Sequence, residues 1–543
     1  MDPTALAAEI RARLTGPGGP FELRPERIGG VDLPAFVHRR PALREWLVES
    51  AAFGDREFLV QDVRRLTYAA HAAAVAATAD VLAGEYGVRA GDRVAVLAAN
   101  APDWVVAFWA SAVLGGVCVA GNAWWTPREA AYALGHARPA VVVADARRRP
   151  LLDGLDVPVL PLEELPDRIA ARGDVPLPDV PIDEKAPAVI MYTSGTTGHP
   201  KGATHSHRNL LAVIEYHRYT DALAAGLAEA FGLPPRTAPR RFLMSLPLFH
   251  IASLHNLTLP RMTSGDTVVI DAGRFDAERV LGLIERERIT NWAIVPTMAS
   301  RLVSSPALAT ADLSSLTALS INSAPSSPAL KDRVRAAIPS VQAAVVDSYG
   351  LTEATTAATV ATPAELAAFP TTVGSPIPSV EVSIRDALGE PVADGVEGEI
   401  WLHSQFTMLG YWDDPEATAA VLRPDGWLRT GDLGRLTDGR LFMASRRTDL
   451  ILRGGENVYP AEIEAVLDEH PAVRECAVFG VDDADLGQAV AALVVASGVT
   501  VEELRTFAAE RLAYYKVPAH WRITDVPLAR TATGKVIRTG LAL

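Results

Sequence analysis

The sequence predicts an α/β protein: a large N-terminal domain of layered, largely parallel sheets, followed by a small α+β domain. Three observations carry that expectation. At 543 residues the chain is too long for one compact core. Apolar runs bounded by turn residues alternate with helical spacing over most of its length. After Asp438-Gly439 the pattern changes to short, mixed segments. Strand–helix–strand alternation implies sheets with parallel strands, because the helix carries the chain back to start the next strand in the same direction.

Taken in order, Val94–Ala98 reads as a buried strand with a helix-like stretch, Trp104–Leu114, after it. Helical spacing over Pro127–Gly135 precedes a second strand, Ala140–Ala144. Residues 173–187, rich in Pro and Asp, read as a loop between two such units. Ala188–Met191 is the next strand, and helical spacing resumes near His207. Thr267–Ile270 and Trp292–Val295 continue the series, with Ala277–Arg288 as the helix between them. In the C-terminal part, Ala461–Asp468 and Val501–Leu512 are helix candidates, and Cys476–Phe479 and Val490–Ala496 strand candidates. The domain boundary falls at Ser445–Asp449, giving domains of residues 1–445 and 446–543.

Composition removes several functions. A net charge of -14 argues against nucleic acid, which needs a basic footprint, and against electrostatic docking on anionic lipid. Two cysteines, Cys118 and Cys476, make neither a disulfide framework nor a cysteine zinc site. No apolar run approaches a membrane span, and Asp2 and Glu9 do not suit a signal peptide. The expectation is a cytoplasmic, soluble protein.

Tyr192–Gly202, YTSGTTGHPKG, is the most informative stretch. It follows the Ala188–Met191 strand and precedes a helix. Gly195, Gly198 and Gly202 permit tight turns and close approach to a ligand. Thr193, Ser194, Thr196 and Thr197 supply hydroxyls, and Lys201 a positive charge. Such a loop can wrap polyphosphate oxygens. It is not the phosphate loop of kinases and GTPases, since no Gly-Lys-Ser/Thr closes it.

The string resembles the phosphate loop of the adenylate-forming superfamily, which includes acyl-CoA synthetases, luciferases of the firefly type and peptide-synthetase adenylation domains. Further elements follow in the family's order. Asp347-Ser348-Tyr349-Gly350-Leu351-Thr352-Glu353 resembles its YGxTE motif, Gly398-Glu399-Ile400 with Gly410-Tyr411-Trp412 its GE…GYW segment, and Trp427–Asp432 its RTGD element. Arg446–Glu464 is similar to the hinge and the start of a mobile C-terminal domain. Ala529–Lys535 is similar to the tail that carries the adenylating lysine.

The resemblance implies ATP, Mg2+ and CoA as cosubstrates and cofactor, with a small-molecule carboxylic acid as the partner and a homodimer left open. The acid would be joined to AMP, and the CoA thiol would then displace AMP. Glu353 and Thr196 are the implied metal ligands, since magnesium keeps oxygen ligands and bridges phosphates. Ser194, Gly195, Gly198, Lys201, Ala324, Pro325, Asp347, Ser348, Gly350 and Thr352 would line the nucleotide. Tyr349 offers a ring for adenine, Asp432 at a tight Gly431-Asp432 turn would accept ribose hydroxyls, and Arg446 would reach ribose or phosphate. Lys535 would meet carboxylate and α-phosphate as a point charge. Gly454 and Gly455 would pass the pantetheine arm, and Thr448 would be the hinge.

His250, in Pro247-Leu248-Phe249-His250-Ile251, reads equally as a core residue or as a gate to the acyl pocket. Amino-acid-activating relatives carry an aspartate in this segment, and Leu248–Ile251 has none, so the pocket suits a carboxylate on an apolar body. Trp124-Trp125 reads as core or as enclosure for the substrate. The chain departs from the family at Ser445, at Thr448 (commonly Lys or Asp) and at Asn322-Ser323-Ala324-Pro325 (elsewhere Gly-Gly-Ala-Pro). The tail and Leu512–Pro518 resemble fatty-acid-type members most. An aryl or polycyclic acid:CoA ligase, or an enzyme specialised for one half-reaction, is the alternative. A non-catalytic nucleotide-binding protein is the reading from a different class.

Overall fold

A computed structural model describes residues 3–193, 200–322, 328–341, 344–445, 451–458 and 460–526, with Leu528 and Leu541. The first sheet has seven strands among these residues. Five of them, Pro187–Thr193, Val117–Ala120, Arg93–Leu97, Val141–Ala144 and Val159–Pro161, are parallel neighbours. Their residues are apolar almost without interruption because helices cover both faces. A larger sheet has a parallel centre, in the order Glu57–Gln61, Thr267–Ile270, Arg241–Met244, Asn291–Ile294, Ala318–Ile321 and Val345–Gly350. From Val345 onward its ladders turn antiparallel and continue so to Ser445.

The two sheets are held by helices packed between them. Pro102–Val113 is buried on every side, as the all-round apolar sequence requires. Its Trp104, Phe108 and Trp109 share one core with Val94 and Met191 of the first sheet and Leu59 and Val268 of the second.

Thr267–Ile270 is a strand with the expected bounds, and the Ala277–Glu287 helix ends one residue early, where Arg288 turns left-handed. The Pro127 helix runs to Ala137, two residues further than its spacing suggested. Its start is fixed by a capping box between Thr126 and Glu129. Residues 173–187 are a loop, as expected, until the strand begins at Pro187. The α/β layers with parallel strands are as expected, and the antiparallel half of the large sheet, which was not foreseen, adds to them.

From Ile451 onward the chain builds a separate five-stranded sheet with its own core, in which Ile451, Val478, Val494 and Leu504 meet. Its paired strands Val473–Asp483 and Gly487–Ala496 extend well beyond the apolar runs that announce them. The hinge candidates Arg446 and Thr448 lie outside the described residues.

This unit packs against the C-terminal ends of the parallel strands, and a buried ion cluster lies at the contact. Lys516 Nζ lies 3.0 Å from Glu129 Oε1 of the large domain and 2.6 Å from Glu462 Oε1 of its own. All three side chains are almost fully buried. Burial opposes charge on Lys516, but Tyr515 and the two carboxylates hold its pKa above the usual lysine value. With one more carboxylate than ammonium in the site, burial and Glu129 push the Glu462 carboxyl up. Exposed pairs, Arg301–Asp485 at 2.6 Å and Arg128–Glu469, flank the bridge and add little.

Removing the cation would strand two buried carboxylates, which typically costs about 3–5 kcal/mol. Lys516→Gln should therefore loosen the docking, so that limited proteolysis separates the two domains faster than in the parent while the melting of the large core is retained. Equal proteolysis rates would show that the rim pairs hold the domains instead.

Candidate active site

A cavity of about 690 Å³ lies where the small domain covers the strand ends. Ligands of open α/β sheets bind in that position, beyond the carboxyl ends of parallel strands. The large domain contributes Thr193, Gly350, Thr352, Glu353 and Asp432, from three of the motifs. The small domain contributes Gly454, Gly455, Glu456, Tyr514, Tyr515 and Lys516.

Glu353 sits in the short Thr352–Ala354 turn after the Val345–Gly350 strand. The turn is pinned from below. Thr355, at φ +62°, takes His205 Nδ1 on its hydroxyl at 2.9 Å and His255 Nδ1 on its carbonyl at 3.0 Å. Tyr411, from the GYW segment, donates its hydroxyl to Glu353 Oε1 at 2.8 Å. Lys201 Nζ lies 5.1 Å from the centre of the Tyr411 ring. Although Glu353 keeps some exposure to the cavity, the protein around it is dense enough that desolvation pushes its carboxyl above the usual range, with Asp432 adding to this. Its hydrogen bonds and Lys201 pull the other way.

Asp432 is not at a turn. It lies inside the strand Trp427–Thr437, on a bulge. Glu399 pairs with Leu433 and Trp401 with Arg429, so Thr430, Gly431 and Asp432 all face Ile400 alone. Gly431 takes φ +74°, which glycine adopts without strain. The bulge re-aims the Asp432 carboxylate into the cavity, where Oδ2 already accepts from the Tyr349 hydroxyl at 2.8 Å.

The Tyr349 ring is 4% exposed and packs with Ala354, Ile400 and Leu428. Asp347 is buried against Lys331 at 2.6 Å. Ser348 donates to Asn322 Oδ1 at 3.1 Å. Thr193 donates to the Lys201 carbonyl at 3.4 Å across the mouth of the phosphate-loop hairpin. Ser194, Gly195, Thr196, Thr197, Gly198, Ala324, Pro325 and Lys535 lie outside the described residues.

His250 faces the cavity, 38% exposed, rather than the core. Its Nε2 is 3.8 Å from Glu456 Oε1 of the small domain. Both tryptophans border the cavity: Trp125 is largely buried against Tyr192, and Trp124 stands among Phe249, Tyr514 and Tyr515. Sequence reading missed the Tyr514-Tyr515-Lys516 run as a contributor; three consecutive large polar side chains before Val517-Pro518 were its signal.

Gly455, at φ +87°, approaches Val295 of the large domain so closely that a Cβ would stand 2.8 Å from Val295 Cγ1. Only a residue without a side chain lets the domains meet there.

A second cavity, about 430 Å³, shares Ile251, Ala252 and Gly350 with the first. It runs back along the sheet beneath Trp292, Leu319 and Val346.

The AMP-binding enzyme family model matches residues 47–412, and that family's C-terminal domain model matches 462–535. The chain belongs to the AMP-binding enzyme family. A feruloyl-CoA synthase from an Amycolatopsis species is 35% identical over 92% of this chain and 98% of its own. A long-chain-fatty-acid–CoA ligase from Mycobacterium tuberculosis is 32% identical over 88% of this chain and 92% of its own. The protein is an AMP-forming acid–CoA ligase, and no relative is near enough to fix its acid.

Among solved structures, a double mutant of o-succinylbenzoate CoA synthetase from Bacillus subtilis, bound with its product analogue, is 30% identical. It covers 92% of this chain and 98% of its own, with a TM-score of 0.78. The same enzyme in complex with its acyl-adenylate intermediate, at the same identity and coverage, scores 0.64. An amide bond synthetase from Marinactinospora thermotolerans scores 0.79, at 32% identity over 90% of this chain and 97% of its own.

A carboxyl whose folded pKa is raised destabilises the fold progressively as pH rises through that value. Glu353→Gln cannot titrate and keeps an oxygen for Tyr411. Its melting temperature should exceed the parent's above the ordinary carboxylate range, and the gain should vanish in acid, where the parent's glutamate is neutral. A gain independent of pH would show that charge on Glu353 is not its source.

Proposed function

We propose that this ligase activates a carboxylic acid with an apolar body as its acyl-AMP, then transfers the acyl group to the CoA thiol. The carrying observation is the joined pair of cavities: one built from the nucleotide motifs of both domains, the other apolar for most of its length and opening into it at Gly350. Glu353 and Asp432 are the groups we assign to magnesium and ribose. A divalent cation beside Glu353 would offset the desolvation that disfavours its charge, and magnesium commonly binds through one carboxylate plus substrate phosphates. The phosphate-loop hydroxyls and Lys201 would hold the phosphates, and Lys535 would offset charge on the reacting groups.

The described domain arrangement supports assignment to the thioester-forming step. It resembles the product-analogue complex of the relative more than the acyl-adenylate complex, as the scores of 0.78 and 0.64 record. We place the domain boundary between residues 445 and 446, supported by the separate core that begins at Ile451. The location we assign is cytoplasmic, consistent with both cysteines being free. An aryl acid is the second reading, favoured by the tryptophan and aromatic lining of both cavities.

A carboxylic acid panel with mass detection of acyl-AMP and acyl-CoA tests this. Both products should form with at least one acid; acyl-AMP without thioester would mean another acceptor, and neither product would overturn the reading.

Gly455→Leu should retain pyrophosphate release and lose thioester formation by about a hundredfold, because the new side chain collides with Val295 only when the domains are docked. Equal loss in both steps, measured with acyl-AMP supplied for the second, would reduce Gly455 to a folding requirement.

A further inference from the structure

We infer that His205 and His255 are positioning residues for the Glu353 carboxylate: each donates from Nδ1 to Thr355, and the two bonds set where the carboxylate oxygens stand. The inference rests on the assignment of Glu353 to magnesium above.

It starts from a residue in an unusual conformation for its type. Thr355 takes φ +62° and ψ -30°, which a β-branched residue adopts only under constraint. It is fully buried, and its N–H closes the Thr352–Ala354 turn by donating to the Thr352 carbonyl at 2.9 Å. Glycine would take this backbone without strain. What glycine lacks is the hydroxyl, and here the hydroxyl is used twice. It donates to the Phe406 carbonyl and accepts from His205.

The partners fix both histidine tautomers. A threonine hydroxyl has one hydrogen, already committed to Phe406, so the hydrogen in the 2.9 Å contact with His205 must sit on Nδ1. The Thr355 carbonyl can only accept, so His255 Nδ1 carries the hydrogen in its 3.0 Å contact as well. Both rings are fully buried, and burial pushes both pKa values down, so neither ring holds a second proton. Their Nε2 atoms are bare and have no hydrogen-bond partner among the described residues. Each imidazole thus works through one edge alone, the edge that meets Thr355.

From Thr355 the constraint reaches Glu353 by short routes. Glu353 lies two residues earlier in the chain. Its carbonyl accepts from Met408 N at 2.9 Å, close to Phe406 in sequence. Three residues beyond Met408, Tyr411 donates to Glu353 Oε1 at 2.8 Å. The strand Lys201–Ser206 supplies His205, and its Thr204 carbonyl accepts from Leu409 N at 2.8 Å. The turn, the 406–411 segment and this strand therefore form a closed circuit of hydrogen bonds through Thr355. His255 ties in a fourth element, the π-helical turn Leu254–Thr258, whose Asn256 and Leu257 line the second cavity. Asn256 Oδ1 also accepts from the Thr356 hydroxyl at 2.5 Å. The wall of the second cavity and the turn bearing Glu353 are one hydrogen-bonded unit.

Asparagine and glutamine separate the two edges of a histidine. The Asn amide nitrogen can stand where Nδ1 does, whereas that of Gln reaches the place of Nε2. ATP affinity is measured by calorimetry on the full chain, without acid or CoA, in Mg2+ and again in EDTA. The parent should bind more tightly in Mg2+, since without the cation the triphosphate meets the Glu353 and Asp432 carboxylates. His255→Gln should cut that magnesium gain by about tenfold, the usual scale for losing a partner behind a metal ligand, and leave the affinity in EDTA within about twofold of the parent's. His255→Asn should keep most of the gain. A histidine that only filled the core would lower the melting temperature in both variants without separating their gains, so equal gains in Asn and Gln overturn the inference. His205→Gln and His205→Asn are read the same way, and they stand in if His255→Gln does not melt cooperatively. Glu353→Gln tests the underlying assignment. If it keeps the full magnesium gain, Glu353 does not hold the metal, and the inference falls with that reading.

Discussion

The Lys516 bridge decides what the rest of the molecule can do. Apolar contact would hold two domains without fixing their angle, but an ammonium between Glu129 and Glu462 has one satisfactory position. From that position follow the approach of Gly455 to Val295, the pairing of Glu456 with His250 and the edge-on packing of Trp124 against Tyr514 and Tyr515. Glu129 is itself anchored, because its second oxygen closes the capping box of the helix that starts at Pro127. The docking angle is thus tied to the helix start, and the helix start to the first sheet.

Around Glu353 the architecture works against its own stability. A carboxylate is held near Asp432 in a poorly solvated turn, and that turn depends on a left-handed threonine and two buried neutral histidines. Such an arrangement persists only where surrounding structure over-determines it, which here the Thr355 hydrogen bonds do.

The sequence was legible where a signal was local. Continuous apolar runs such as Thr267–Ile270 became strands because burial on both faces leaves no other pattern. The family motifs located Glu353, Asp432, Gly454 and Gly455, which the fold gathers around one cavity. What stayed hidden was non-local. The antiparallel ladders after Val345 have one exposed face, so their apolar signal is diluted, and the Asp432 bulge is visible only once Ile400 is known to be its partner. The π-turn at Leu254–Thr258 leaves no trace in composition, since its residues would serve an α-helix equally well. Lys516 carried no local signal, because its two carboxylate partners are far away in the chain.

A binding surface divided between two domains also constrains how such enzymes can be recombined. The charge balance at Lys516 belongs to neither half. A C-terminal domain grafted from a relative would carry its own counterpart of Lys516 and Glu462, yet meet the Glu129 of this chain. Unless the relative matches that carboxylate, the hybrid inherits a buried imbalance at its pivot. The heritable unit of specificity is therefore the seam, and sequence drift on one side must be answered on the other.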